Sequence, residues 1–529
     1  MFVNFTQRYF LRRALKLYGN KIGVVDGPLR LTYREFDERV NRLSNALLDR
    51  AVKPGDRIAI IESNSHYLLE ALYGIIHIGA VIVTINIRLF PREILHILND
   101  CEAKVLLFHE EYLPLVEDLK DQLQHVKEFF VISEGKEPPW GADYENTMNH
   151  ASPVAPPEPE VDENALAQLF YTSGTTGNPK GVMLSQRHIY GNAITCIISA
   201  QLTDADTFLH LIPMFHVNGW GTPQAVTCMG GCHVMLRQFD PEVIFKLIEQ
   251  ERITKFFAVG TMMNILMNHE SIGNHDFESL EMILIGGAPA APMMIKEAEK
   301  IFGCDCHAGY GMTEAGPILT ASIPKDHLEG QSDNERWERL AKTGLEAVGV
   351  ELRIMGEDGK EVSSDGRQIG EIVARSNNIM LGYWNLPEET EKSFTQDGWF
   401  RTGDMATIDP EGYISIVDRK KDVIISGGEN IASIEVERAI LAHSSVLEVA
   451  VIGVPDEKWG EVPKAIIVLK PGKDVAEKDL SQHCQKHLSR FKIPKSFDFV
   501  ESLPKSGTSK ILKRELRERY WKGLKKRVH

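Results

Sequence analysis

Apolar positions recur at helical spacing over Tyr33 to Arg50, give way to a short strand-like run at Arg57 to Ile61, and return at helical spacing over Ser65 to Ile78. The exchange continues with a β-branched strand at Val81 to Ile85, a helix opened by Pro91 and reaching Leu98, and a strand at Ala103 to Phe108. A period that switches repeatedly between 3.6 and 2 predicts a largely parallel, doubly wound α/β layer. The amino-terminal stretch MFVNFTQRYFLRRALKLYGNK has no continuous apolar signal region and predicts an amphipathic helix. Ala71 to Ile87 is the most apolar run, but His77, Gly74 and Gly79 interrupt it, so it falls short of a membrane span. It predicts a buried helix leading into a buried strand.

Ser152 to Glu163 is rich in proline and acid, lacks periodicity and predicts an exposed connection. The α/β alternation resumes beyond it, for example at Phe256 to Val259 and Met282 to Ile285. From about Val348 the pattern changes to short strands with Asp-Gly and Glu-Gly turns, at Glu351 to Met355, Glu371 to Ala374 and Tyr413 to Val417. That spacing predicts a small antiparallel barrel or sheet. Asp418-Arg419-Lys420-Lys421-Asp422 is a charged break. After it come a helix at Ile434 to Ala442, strands at Val446 to Gly453 and Lys464 to Leu469, and a helix at Glu477 to Leu488. The division expected from this is a large unit over residues 1–420 and a compact α+β unit over 421–529.

Length and charge narrow the function. At about 100–200 residues per domain, 529 residues call for several domains or subdomains. Fifty-nine basic against 74 acidic residues leave a formal net charge of −15, which argues against a non-specific nucleic-acid binder and against tight docking on anionic lipid. Seven cysteines with no CxxC pair do not suggest a disulfide framework, and Cys304-Asp305-Cys306-His307 lacks the second ligand pair that a zinc site needs. The expectation is a soluble intracellular protein.

The densest chemistry lies at Thr172-Ser173-Gly174-Thr175-Thr176-Gly177-Asn178-Pro179-Lys180-Gly181, directly after a strand pattern at Ala165 to Tyr171. Three glycines, four hydroxyls and one lysine make a loop suited to phosphate oxygens. Gly174 and Lys180 have Walker A spacing, but Pro179 replaces the second glycine and Gly181 replaces the magnesium-binding hydroxyl. Val182 to Leu184 continues as strand, and a helix is signalled only at Ser185, so the strand–loop–helix context of that motif is missing.

This loop resembles the signature of the adenylate-forming superfamily, which contains acyl-CoA synthetases, peptide-synthetase adenylation domains and beetle luciferases. Four further segments occur in that family's order: Tyr310-Gly311-Met312-Thr313-Glu314, Gly398 to Asp404, Asp418 to Lys421 followed by Gly428, and Leu503 to Lys510. The resemblance spans nearly the whole chain and is to bacterial medium- or long-chain fatty acyl-CoA synthetases in particular. It implies that ATP, Mg2+ and coenzyme A are used, that residues 1–420 form the AMP-binding domain, and that 421–529 form a mobile lid. It also implies a cytoplasmic setting, small-molecule partners and a homodimer.

Residue roles come from the same resemblance. Thr172, Ser173, Gly174, Thr175, Thr176 and Lys180 would hold the β- and γ-phosphates. Glu314 is the expected magnesium ligand, with Thr172 as a second oxygen, and Thr313 would bond the α-phosphate. Asp404 suits the ribose hydroxyls, with Arg419 as an added donor. Adenine would lie against Tyr310 and the Gly286-Gly287-Ala288 backbone, within a nucleotide site that includes Gly309 and Gly311. Lys510 matches the lysine that bridges carboxylate and α-phosphate, although Ser509 stands where the family has glycine. Lys505 is its rival, and Lys421 matches the hinge. Rotation about that hinge would withdraw Lys510 and bring Ser426-Gly427-Gly428 in to receive pantetheine.

Pro213 to Trp220 is the specificity segment. His216 matches a family position near the reacting carboxylate, and Val217 and Trp220 would line the acyl pocket. No charged residue stands out as a reader of a second polar group, so a medium- or long-chain fatty acid is the expected substrate. A short, thioether-bearing or aryl acid is the alternative within the family. A non-catalytic nucleotide-binding scaffold is the alternative outside enzymology, and retention of Glu314, Asp404 and Lys510 together speaks against it.

Overall fold

The structure is a computed structural model. It describes residues 4–521 apart from 134–137, 173–178, 329, 331, 420–421, 427–428, 457 and 506–510, with backbone alone at 218, 220 and 430. The first alternation forms an eight-stranded sheet. Arg57–Ile61 lies parallel between Val81–Thr84 and Val105–His109, and Leu166–Thr172 adds in parallel beside Val81–Thr84. Lys180–Ser185 then turns back antiparallel, and the two-residue strand Gly382–Tyr383 closes that edge. The connecting helices begin where their caps stand. Pro91 occupies the first helical position of Pro91–Asp100, and the Ser185 hydroxyl accepts the His188 N–H to start Gln186–Ser199.

A second, nine-stranded sheet runs in parallel through Cys232–Met235, Thr207–His210, Lys255–Val259, Met282–Gly286 and Asp305–Gly311, with Ile318–Ala321 returning antiparallel. Its far edge is the hairpin Ile22–Asp26 and Leu29–Thr32, which pairs with Cys232–Met235. The alternation over the first 130 residues suggests one layer, yet this hairpin belongs to the other sheet. Periodicity reports which face of a strand is buried, and carries no information about a partner some two hundred residues away. Helix His66–His77 is buried along its length, and among the described residues no helix is long and apolar enough to cross a membrane.

Beyond these sheets stands a four-stranded antiparallel sheet of Val350–Met355, Gly370–Ser376, Phe400–Ile408 and Ile414–Arg419. The carboxy-terminal region builds its own five-stranded sheet, dominated by the long pair Val446–Asp456 and Gly460–Leu469. Alternation along this pair serves two cores. Val449, Val451, Ala465 and Ile467 pack under helices Ser433–Leu441 and Glu477–His487, while Ala450, Ile452, Ile466 and Val468 pack against Leu503 and Leu516. The whole is an α/β protein with a large amino-terminal domain of mixed sheets and a smaller carboxy-terminal domain.

Candidate active site

The glycine- and hydroxyl-rich loop joins two antiparallel strands, with Thr172 directly opposite Lys180 at its base. This strand–loop–strand path is not that of a Walker A loop. Ser173, Gly174, Thr175 and Thr176 lie outside the described residues. Lys180 lies largely buried, its Nζ 2.7 Å from Glu389 Oε2 and 5.5 Å from the centre of the Tyr383 ring. Tyr383 in turn donates its hydroxyl to Glu314 Oε1 at 3.0 Å. Burial, reinforced by the Glu314 carboxylate, pushes the Tyr383 phenol well above its ordinary value, so it keeps the proton it donates.

Thr313 and Glu314 sit on a tight turn between strands Asp305–Gly311 and Ile318–Ala321, with Thr313 buried and the Glu314 carbonyl accepting the Met380 N–H. Close approach explains the glycine before the turn: a Cβ at Gly311 would stand 2.0 Å from the Pro317 carbonyl oxygen. Gly309 shares this strand, paired with Ala321. Gly286 ends the neighbouring strand Met282–Gly286, and Gly287 and Ala288 come next, at the surface. Gly286, Gly287, Gly309 and Gly311 therefore leave these strand ends without side chains on either side of Tyr310.

Four residues before Glu314, Tyr310 donates its hydroxyl to Asp404 Oδ2 at 2.6 Å. Burial and the Asp404 charge raise the Tyr310 phenol well above its ordinary value. Asp404 is itself buried, and Arg419 pairs with it across the four-stranded sheet, Nε 3.5 Å from Oδ1. The sites expected for phosphate, metal and ribose are thus joined by contact or short sequence spacing, from Lys180 through Tyr383, Glu314 and Tyr310 to Asp404 and Arg419. Sequence periodicity gives no sign of Tyr383 or Glu389. A two-residue strand is too short to show alternation, and Glu389 lies in the polar helix Pro387–Lys392.

Lys421, Gly427, Gly428 and Lys510 lie outside the described residues; Ser426 ends the strand Ile424–Ser426 and pairs with Gly460 and Glu429. Lys505 is bound to Glu448 at 2.6 Å. On the far side of residues 506–510, helix Lys513–Trp521 is tied toward the charged break. Lys513 Nζ lies 2.7 Å from Glu437 Oε1, Arg517 lies 2.6 Å from Asp422 Oδ1, and Asp418, beside Arg419, accepts the Ser433 N–H at 2.5 Å.

His216 precedes helix Val217–Met229, which begins with buried Val217. Trp220 lies in its first turn, with only the backbone described. The preceding strand ends in His210, whose ring is hydrogen-bonded to His233 and Thr222 at 3.0 and 3.3 Å. Burial pushes His210 down to about 3, so the pair is neutral at ordinary pH. Among the described residues no three His, Cys, Asp or Glu side chains cluster to form a metal cage.

Comparison with known proteins bears on the family and the fold. A family model for AMP-binding enzymes matches residues 11–384, and one for the C-terminal domain of AMP-binding enzymes matches residues 435–510. The chain is 38% identical to a long-chain-fatty-acid–CoA ligase of Thermus thermophilus, over 97% of this chain and 95% of that protein. It is 36% identical to 4-hydroxybutyrate–CoA ligase 2 of Metallosphaera sedula, over 97% and 94%. Among solved structures, the anthranilate CoA ligase AuaEII in complex with anthranoyl-AMP superposes with a TM-score of 0.90 at 26% identity, over 98% of each chain.

Proposed function

We infer how this chain works from one premise: it belongs to the AMP-binding enzyme family and is an AMP-forming acid–CoA ligase that uses ATP and coenzyme A. In the first half-reaction a carboxylate oxygen attacks the α-phosphorus of ATP, and pyrophosphate leaves. In the second, the thiolate of coenzyme A attacks the acyl carbon, AMP leaves, and the thiol proton passes to solvent. The first step brings an anion against a polyanion, so catalysis rests on positioning and charge neutralisation.

In this reading Lys180 and the loop above it grip the departing pyrophosphate, and Asp404, fixed by Tyr310 and Arg419, receives the ribose hydroxyls. Thr313 donates to the α-phosphate, and the Gly286 to Ala288 backbone leaves room for adenine. Glu314 fits a magnesium ion of the kind that takes one or two protein oxygens and completes its shell with phosphate and water. Tyr383 orients the Glu314 carboxylate for it, and Thr172 adds an oxygen. That ion would neutralise charge on the phosphates. Lys510 supplies a mobile ammonium where acid and α-phosphate meet, then leaves with the 421–529 domain as Lys421 flexes and Ser426, Gly427 and Gly428 approach for the thiol. The observation that carries the reading is the pair of contact sets, Lys180–Tyr383–Glu314 and Tyr310–Asp404–Arg419, held four residues apart on one strand and turn.

The acid proposed is a medium- or long-chain fatty acid, received against His216, Val217 and Trp220. The name of the Thermus relative favours it. Those of the 4-hydroxybutyrate and anthranilate ligases favour the second reading, a short or aryl acid. Acid-dependent exchange of labelled pyrophosphate into ATP, run with acetate, butyrate, octanoate, palmitate and benzoate and then supplemented with coenzyme A, tests both. Exchange that requires acid, AMP release that requires coenzyme A, and a best rate with octanoate or palmitate are expected. A best rate with butyrate or benzoate would select the second reading, and exchange with none of the acids would remove the ligase mechanism.

A further inference from the structure

The loop that delivers His216 is held from the other sheet. Asn64 lies just beyond strand Arg57–Ile61 of the eight-stranded sheet, and only 4% of it is exposed. Its amide nitrogen donates to the carbonyls of His210 at 2.8 Å and Ile212 at 3.1 Å, and its amide oxygen accepts the Met214 N–H at 2.7 Å. Thr84, ending strand Val81–Thr84 of the same sheet, donates its hydroxyl to the Phe215 carbonyl at 2.8 Å. Two buried side chains thus bond four backbone stations along the segment, the last directly before His216.

Immediately beyond that segment the backbone is costly. Val217 has φ of +34°, and Gly219 and Gly221 have +51° and +85°. Glycine tolerates such values, but a β-branched residue there is strained by about 1–3 kcal/mol, and the strain persists only where the surroundings over-determine it. Hydrogen bonds from Asn64 and Thr84, all at ordinary lengths, supply that constraint. A side-chain amide is well suited to the task. It is both donor and acceptor, and so can satisfy carbonyls on either side of a turn together with a nearby N–H.

We propose that Asn64 and Thr84 are positioning residues for the acid: they hold the 210–216 loop so that His216 and Val217 stand in one fixed place beside the reacting carboxylate. The proposal rests on the ligase reading, because His216 and Val217 face the acid only in that reading. The side-chain hydrogen bonds of Asn64 and Thr84 go to the loop backbone. In the proposal they act through the loop, and neither is hydrogen-bonded to Tyr310, Asp404 or Glu314, the residues proposed to hold the nucleotide. Loss of either should therefore appear in the kinetics of the acid and leave those of ATP alone.

The test uses the full-length enzyme and pyrophosphate exchange, with the KM for acid and the KM for ATP measured separately on the best acid of the acetate, butyrate, octanoate, palmitate and benzoate series. Asn64→Ala is expected to raise the acid KM about tenfold or more with the ATP KM within about twofold of wild type, since it removes three of the four hydrogen bonds that fix the loop against the acid. Thr84→Val, which conserves shape and removes one bond, is expected to move the acid KM in the same direction by about two- to fivefold. It decides the matter should Asn64→Ala fail to fold. A merely structural role would lower the melting temperature and leave the two KM values in their wild-type ratio, which would overturn the proposal. Wild-type enzyme that exchanges with no acid would overturn the ligase mechanism first, and this inference with it.

Discussion

Lys180, at the base of the glycine- and hydroxyl-rich loop, is paired with a carboxylate outside it, and in the proposed mechanism that pairing has kinetic consequences. Glu389 holds the ammonium at 2.7 Å beside the Tyr383 ring. In the proposed reaction the same ammonium must let go of Glu389 to meet phosphate. A partly exposed ion pair of this kind contributes about 0.2–1 kcal/mol, so its loss corresponds to a change of up to about fivefold in affinity for a competing anion. Glu389→Gln should accordingly lower the KM for ATP by up to about fivefold in pyrophosphate exchange, and Lys180→Ala should raise it. An unchanged KM in Glu389→Gln would show that the carboxylate does not compete. Residue types in motifs were readable without coordinates here: Asp404, Glu314 and Lys180 each stand in a segment whose chemistry demands a charge. Glu389 and Asn64 were not, because their significance comes from what they touch across 209 and about 150 positions of chain.

Elements carry the next level of constraint. Helix and strand positions track the hydropathy pattern closely where amphipathicity is strong, as in Tyr33–Asp49 with its Thr32–Glu35 capping box, or in the long strand pair of the carboxy-terminal sheet. They are not legible at Gly382–Tyr383 or the hairpin Ile22–Asp26 and Leu29–Thr32, where runs are short and pairing is remote. The strand Asp305–Gly311 shows how an element can aim chemistry. Its last residue must lack a side chain so that Pro317 can fold back within 2.0 Å of where a Cβ would stand, and the turn so formed presents Thr313 and Glu314. Gly311→Ala should destabilise the protein by about 1–3 kcal/mol through overpacking. By displacing the turn it should slow pyrophosphate exchange on the order of a hundredfold. Thermal melting and exchange rate measured on the same sample check this. A variant that melts lower yet exchanges at the wild-type rate would show that the turn tolerates displacement.

At the scale of the molecule, two large sheets and a four-stranded sheet converge on the line from Lys180 to Arg419, and a separate carboxy-terminal domain is tied to the end of that line. Asp418 of the large domain accepts the Ser433 N–H and Ile434 packs against the core of the four-stranded sheet, while the pairs Lys513–Glu437 and Arg517–Asp422 tie helix Lys513–Trp521 within the carboxy-terminal domain. In the proposed mechanism this domain docks for one half-reaction and withdraws for the other. The change of texture after Val348 announces the four-stranded sheet, and the charged run at Asp418 that follows it announces such a division in the sequence. Which side chains pair across it depends on distances that no periodicity encodes. The most direct test of the account separates the two half-reactions in Lys510→Ala. Acyl-AMP formation from acid and ATP should fall by several orders of magnitude, while acyl-CoA formation from supplied acyl-AMP and coenzyme A should proceed within a few-fold of wild type. Equal loss of both, or full retention of the first, would contradict it.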